Sequence, residues 1–201
     1  MKKTNILEKQ SMTNRNLIPR AIFRLRYHVF DMGKLRAIYW RLLGMKIGRK
    51  TRMPKIFVTW PHQVSIGQNC KLENHLYFHF DGIYQPGPSI KIGDNTFIGS
   101  DCEFNIRRSV LIGNNCLIAS GCKFIDHDHN ISGTGAFLQT DGLEEEIIIQ
   151  NHVWLGANVI ILKGITINEG AVVAAGAVVT KSIPANEIWA GIPAKKVGQR
   201  V

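Results

Sequence analysis

No stretch of 18 or more uncharged apolar residues occurs in this chain of 201 residues, so nothing in it reads as a membrane-spanning helix. No apolar core with a small-residue cleavage site follows Met1, which predicts a cytoplasmic chain rather than a secreted one. Cysteine is scarce, and Cys70, Cys102, Cys116 and Cys122 form no CxxC pair. They are expected as thiols, with neither a disulfide nor a metal. The absence of a P-loop or a GxGxxG turn leaves nucleotide hydrolysis and hydride transfer without support. Acidic residues are nearly missing from residues 1–55, where Glu8 and Asp31 face 15 Lys/Arg for a net +13. Residues 56–201 hold ten Lys/Arg against 13 acids, net −3, so the overall +10 combines two electrostatically different segments.

What is present is a repeat. Every sixth residue from Ile149 is apolar: Ile149, Leu155, Ile161, Ile167, Val173 and Val179. So is the residue four after each: Val153, Val159, Ile165, Ala171, Ala177 and Ile183. At 45% hydrophobic content a random run does this about once in ten thousand trials. The position after the first is often small or turn-forming (Gly156, Asn168, Ala174), which suits a tight corner. The same hexad recurs upstream at Ile66, Ile92, Ile98, Ile112 and Ile118, with Cys70, Thr96, Cys102, Cys116 and Cys122 in the small inward slot. The cysteines therefore read as core fillers.

A hexad with two inward positions is one short strand plus one corner, and three close a triangular coil. Coils stack about 4.8 Å apart through parallel pairing. The hexads predict an all-β solenoid of about five coils, at 66–80, 92–104, 112–124, 149–161 and 167–179. Expected units are an N-terminal helical segment at 1–55, the solenoid at 56–185 and a C-terminal tail at 186–201. Three interruptions break the register: Asp81–Ser89, a two-residue slip between Phe104 and Ile112, and a protruding loop from Asp126 to about Ile147. Long loops in a compact solenoid usually carry function.

These segments resemble the hexapeptide-repeat acyltransferases, in particular the branch of maltose and galactoside acetyltransferases and the O-acetyltransferases of bacterial surface polysaccharides. The resemblance rests on Glu103–Ile106, Ile112–Cys122, Asp126-His127-Asp128-His129, Val153-Trp154-Leu155-Gly156-Ala157-Asn158-Val159 and Ala190–Lys195, and it spans about residues 60–197. It implies a left-handed parallel β-helix, against the usual right-handed crossover preference. It also implies a homotrimer with sites between subunits, acetyl-CoA as co-substrate, and transfer to a sugar hydroxyl in surface-polysaccharide biosynthesis.

Acyl transfer to a hydroxyl needs a base for its proton and close placement of both substrates. The resemblance assigns the base to His127, which follows the coil end at Phe124-Ile125; His129 is the rival. Asn105, Asp126 and His129 are expected near the acceptor, and either Asp126 or Asp128 could orient the imidazole as a triad carboxylate does. Each also reads as an ordinary turn residue. Trp154 should point outward beside the CoA groove, where Gly156, Ala157 and Ala175 let backbone amides approach the pantetheine arm. Among Lys181, Lys195 and Lys196, Lys195 is the candidate for a CoA phosphate. Glu144–Glu146 reads as a solvated loop tip.

Residues 20–46 alternate Arg with bulky apolars and suggest two short helices around Asp31-Met32-Gly33. They fit either a cap over the first coil or peripheral contact with an anionic membrane; nucleic acid is not the expected partner. Three other functions compete. An N-acetyltransferase of amino-sugar nucleotides and a non-catalytic scaffold of an envelope complex share the fold. A zinc lyase needs three converging His, which His127, His129 and His152 do not supply at repeat spacing.

Overall fold

The computed structural model describes residues 32–82, 84–130 and 142–200, and the expectations for residues 20–31 fall outside them. The chain forms a left-handed parallel β-helix of triangular section. The first sheet stacks Lys46–Ile47, Val64–Ile66, Ile90–Ile92, Val110–Ile112, Ile147–Ile149 and Thr166–Ile167. The second runs from Lys71–Leu72 through Phe97–Ile98, Leu117–Ile118, Trp154–Leu155 and Val172–Val173 to Glu187–Ala190. The third stacks Ile56–Val58, Leu76–Phe80, Glu103–Ile106, Lys123–Ile125, Ile160–Ile161 and Val178–Val179.

All twelve hexad positions from Ile149 to Ile183 are buried, none more than 5% exposed. The largest rings stack vertically in the third sheet, with Phe78 and Phe104 centroids 4.9 Å apart and Phe104 and Phe124 4.7 Å apart. The small slots do more than fill space. Cys70 Sγ reaches Gly93 O at 3.0 Å and Cys116 Sγ reaches Gln150 O at 3.1 Å, each a corner carbonyl of the next coil, and Thr96 Oγ1 does the same with Gly113 O at 3.0 Å. Burial pushes the Cys70 and Cys116 thiols up, away from the reactive thiolate.

Two expectations need correction. The left-handed corner residue is the third after the inward aliphatic, as at Asn95 (φ 55°), Asn115 (φ 56°) and Asn158 (φ 58°), and not the first. The first position is small because coils approach closely there: a Cβ on Gly156 would lie 2.4 Å from Ala175 N. The solenoid also has a sixth coil at its N-terminal end. Lys46–Ile47 pairs in parallel with Ser65–Ile66, inside the segment taken as 1–55, and Thr51 Oγ1 bonds Gly67 O at 2.7 Å in the Cys/Thr slot. Far along the chain, Ile188–Trp189 pairs in parallel with Val172–Val173, and Lys195–Gln199 closes the sheet antiparallel. Residues 186–201 thus include strands.

One helix, α1 (Gly33–Leu42), covers the first coil. Gly33 and Ala37 are buried, and Trp40 packs on the core. Arg36 Nε donates to Met53 O at 2.9 Å and Arg41 Nη2 to Ile47 O at 2.9 Å, so both guanidinium groups satisfy carbonyls of the terminal coil. The opposite side exposes Leu35, Ile38, Tyr39 and Leu42 at helical spacing. Among the described residues, no helix is long and apolar enough to cross a membrane.

The stacked rings set a clear expectation. Phe104→Ala removes the middle ring of three, and unfolding in denaturant should register a loss of about 3–5 kcal/mol. A loss under about 1 kcal/mol would show that the ladder, not the core, holds the rungs.

Candidate functional site

All three register breaks leave the third sheet at the same corner. The ladder aligns Val58 with Phe78, Phe104 and Phe124, and therefore Thr59 with His79, Asn105 and Ile125. Two residues on, Asp81, Arg107 and His127 form a vertical column, one per coil. The chain thus leaves the third sheet at the same corner after Phe80, Ile106 and Ile125, one coil above another.

The two-residue slip has a specific purpose. Arg107 N donates to Asp126 Oδ1 at 2.8 Å, while Arg108 N and Ser109 N donate to Oδ2 at 2.7 and 2.8 Å. Three successive amides form an anion nest around a carboxylate with no exposed surface. Asp126 Oδ1 also lies 3.1 Å from His127 Nδ1, and that ring is buried to 9% exposure. A neutral imidazole facing a carboxylate through Nδ1 carries its hydrogen there, which leaves Nε2 with a lone pair.

The base of the long loop is zipped to itself. His127 and Glu144 form an antiparallel bridge, Glu145 N donates to Asp126 O at 2.9 Å, and Asp128 N donates to Leu143 O at 3.2 Å. Glu144–Glu146 is therefore not a free tip; Glu146 Oε2 accepts from Ser109 Oγ at 3.0 Å. Residues 131–141 of the loop lie outside the described residues.

The other expected residues divide. Asp126, expected beside the acceptor, has both oxygens occupied and offers an acceptor no surface in this chain. Asp128 is exposed and lies 3.1 Å from Lys163 Nζ, whose hydrogen bond holds its carboxyl below the usual carboxylate range. It anchors the loop and does not touch the imidazole ring in any hydrogen bond given by this geometry. His129 is exposed. Asn105, one coil below Ile125, carries a buried Oδ1 with no hydrogen-bond partner among the described residues. An orphan acceptor next to the His127 column is what a ligand donor would satisfy.

Trp154 projects from the second sheet at 49% exposure, between Leu117 and Val172 on neighbouring rungs. Gly156 N already donates to Val173 O at 2.8 Å, so that amide is not available to a pantetheine arm. Ala157 is half-buried and Ala175 exposed at the same corner, and Lys195 is exposed on the closing strand. Trp154 and Lys195 lie on the second sheet and Ala157 and Ala175 at the corner after it, whereas His127 sits at the corner between the third and the first. A single chain does not bring the two groups together. His152, at the remaining corner, is likewise separate from His127, and among the described residues no three His, Cys, Asp or Glu side chains cluster as a metal set.

Sequence reading missed His79, Asp81 and Arg107. Arg107 Nη2 and Nε reach Asp81 Oδ2 at 2.9 and 3.1 Å, and this hydrogen bonding holds the Asp81 carboxyl low. His79 Nδ1 lies 2.9 Å from the Tyr77 hydroxyl. Their signal was the column itself, visible only once the loop lengths are known.

The nest predicts that Asp126→Ala strands three buried amides at roughly 1–3 kcal/mol each. Thermal unfolding should show a drop of many degrees, while Asp128→Ala stays near wild type. Equal melting of both variants would contradict the nest.

Comparison with known proteins adds the following. A family model described as bacterial transferase hexapeptide (six repeats) matches residues 146–181, and one described as hexapeptide repeat of succinyl-transferase matches 89–122. A Staphylococcus aureus protein named for an inferred acetyltransferase activity is 36% identical over 151 residues, 74% of this chain and 68% of its own. A Schizosaccharomyces pombe protein named in the same way is 57% identical, but over only 51 residues, so the match spans a quarter of each protein. Among solved structures, AntD, an N-acyltransferase from Bacillus cereus in complex with dTDP and 3-hydroxybutyryl-CoA, has a TM-score of 0.68 at 20% identity, covering 82% of this chain and 88% of its own. A hexapeptide-repeat acetyltransferase of Vibrio cholerae complexed with acetyl coenzyme A has a TM-score of 0.60 at 24% identity, covering 90% and 84%.

Proposed function

Because this chain belongs to the hexapeptide-repeat acetyltransferase family, we propose that it transfers an acetyl group from acetyl-CoA to a sugar hydroxyl of a surface polysaccharide or its precursor, with His127 as general base. The observation that carries this reading is the Asp126–His127 pair: the buried carboxylate faces Nδ1, so Nε2 points away from the nest. In the reaction the hydroxyl proton passes to Nε2 as its oxygen bonds to the thioester carbon. Collapse of the tetrahedral adduct breaks the carbon–sulfur bond, and the proton moves from the imidazolium to the departing thiolate, which leaves as the thiol. Asn105 Oδ1 accepts a hydrogen bond from the acceptor, with His129 at the rim.

Trp154, Ala157, Ala175 and Lys195 serve the co-substrate from another protomer. Their separation from His127 within one chain supports sites built in the seams of a homotrimer. Gly156 contributes there by permitting close coil approach, not through its amide. No metal takes part in this scheme.

The inward face of α1 serves as the cap expected of the N-terminal segment. The outward stripe of Leu35, Ile38, Tyr39 and Leu42, in a segment of net +13, supports peripheral docking on the anionic inner face of the cell membrane. There the enzyme would meet lipid-linked saccharides and cytoplasmic acetyl-CoA.

Thiol release from acetyl-CoA across a panel of sugars and amino-sugar nucleotides tests the chemistry. His127→Ala should lower turnover about 10²–10⁴-fold while leaving acetyl-CoA affinity in place. The product should be a hydroxylamine-labile ester; a resistant amide would convert the reading to N-acetyl transfer. Docking is checked by sedimentation with phosphatidylglycerol vesicles, which Leu35→Ser/Ile38→Ser/Leu42→Ser should abolish. Unchanged sedimentation of that variant rejects the membrane face.

A further inference from the structure

Below the column of His127, Arg107 and Asp81 lies a group of aromatic side chains that the transfer chemistry does not use. Trp60 follows the lowest strand of the third sheet and is 41% exposed. Tyr84, on the 81–89 insertion, is 68% exposed. With His62 they form a cluster: His62 to Tyr84 is 5.0 Å between centroids, and Trp60 is 6.0 Å from each of the other two. Trp60 meets the other rings at 67° and 76°, which makes an open cup and not a closed stack.

The cup is held in place. Gln63, buried behind it, donates from Nε2 to Gln85 O at 2.7 Å and accepts from Ser89 N through Oε1 at 3.1 Å. His62 Nε2 lies 3.2 Å from the same Gln85 carbonyl. One buried amide thus fixes both the tip and the end of the insertion, and the position so fixed is that of Tyr84. A folded chain gains nothing by presenting ordered aromatic rings to water, so such a cluster marks a binding surface.

From this geometry we infer that Trp60, His62 and Tyr84 form a carbohydrate-stacking subsite for a distal unit of an extended saccharide acceptor. The inference rests on the transferase reading and narrows its acceptor from a single sugar to an oligosaccharide. Ring faces of Trp and Tyr carry negative charge and attract the C–H faces of pyranose rings. Three rungs separate Trp60 from the His127 level, roughly 14 Å at the spacing of stacked strands. That exceeds one hexose ring and suits a short oligosaccharide. Between the two levels lie His79, Tyr77 and Asp81, groups that bond hydroxyls. Of the two arginines in the 107–109 bend, Arg107 is held by Asp81 through two hydrogen bonds and Arg108 donates to Glu144 O, which favours a neutral saccharide over a nucleotide diphosphate.

The test uses the full-length protein on an array of bacterial-surface oligosaccharides and their constituent monosaccharides, without acetyl-CoA. Oligosaccharides should be retained in preference to monosaccharides. Trp60→Ala or Tyr84→Ala should weaken retention roughly 3- to 10-fold each, with Trp60→Phe close to wild type. His127→Ala should bind the array normally while failing to transfer, which separates this subsite from the catalytic reading. If wild type transfers no acetyl group to any sugar but Trp60-dependent retention persists, the transferase reading falls and the subsite stands. The subsite is overturned if no oligosaccharide is retained, if both alanine variants bind as wild type, or if dTDP displaces the bound saccharide from wild type and not from Trp60→Ala. A change in oligomeric mass on Trp60→Ala would also overturn it, since the cluster would then be a contact between subunits.

Discussion

Three amide hydrogens from Arg107, Arg108 and Ser109 converge on the Asp126 carboxylate, and most of the site's geometry follows from that convergence. A buried carboxylate is tolerable only when its oxygens are fully hydrogen-bonded, and here the amides of one coil neutralise the side chain of the next. The same oxygen that accepts from Arg107 N fixes the imidazole of His127. One group therefore closes the slip in the repeat, anchors the root of the long loop and orients the His127 ring. The coil below supplies the donors from the three-residue bend between Ile106 and Val110.

The regular ladder makes such convergence possible. Parallel pairing stacks equivalent residues vertically, so segments far apart in sequence become neighbours by column. Trp60, Asp81, Arg107 and His127 come from four coils yet line one corner. The rigid core of Phe78, Phe104 and Phe124 lies directly behind that corner and holds the rungs in line. Corners away from this one follow the hexad closely, with a left-handed residue, most often Asn or Gly but also Lys50, His75, Asp101 and His152, in the third position. The outward residues of Trp154 and its neighbours are left for another surface to meet.

Much of this was legible in the sequence because inward positions are chemically constrained. Period six, apolar at two places, specified the solenoid, its small slots and the corner where His127 leaves the wall. Outward positions are not constrained, and there the reading lost ground. Ile47-Gly48 with Thr51 four residues after the isoleucine carries the same hexad, yet Lys46, Arg49, Lys50 and Arg52 around it drew the segment into the basic N-terminus. Charge at outward positions says nothing against a coil. Asp126 and Asp128 could not be told apart from sequence, since only the coil below distinguishes a nested carboxylate from an exposed one. Arg107 and Asp81 were invisible for a related reason: an insertion and a slip of different lengths hide which residues share a column.

The most direct test of the central claim is the protonation pattern of the His127 ring, read by ¹⁵N NMR of histidine-labelled protein assigned with His127→Ala. The account predicts a neutral ring with its hydrogen on Nδ1 and a bare Nε2, and loss of that preference in Asp126→Asn. A hydrogen resident on Nε2 in the resting protein would contradict it, because the nitrogen assigned to take the hydroxyl proton would already be occupied.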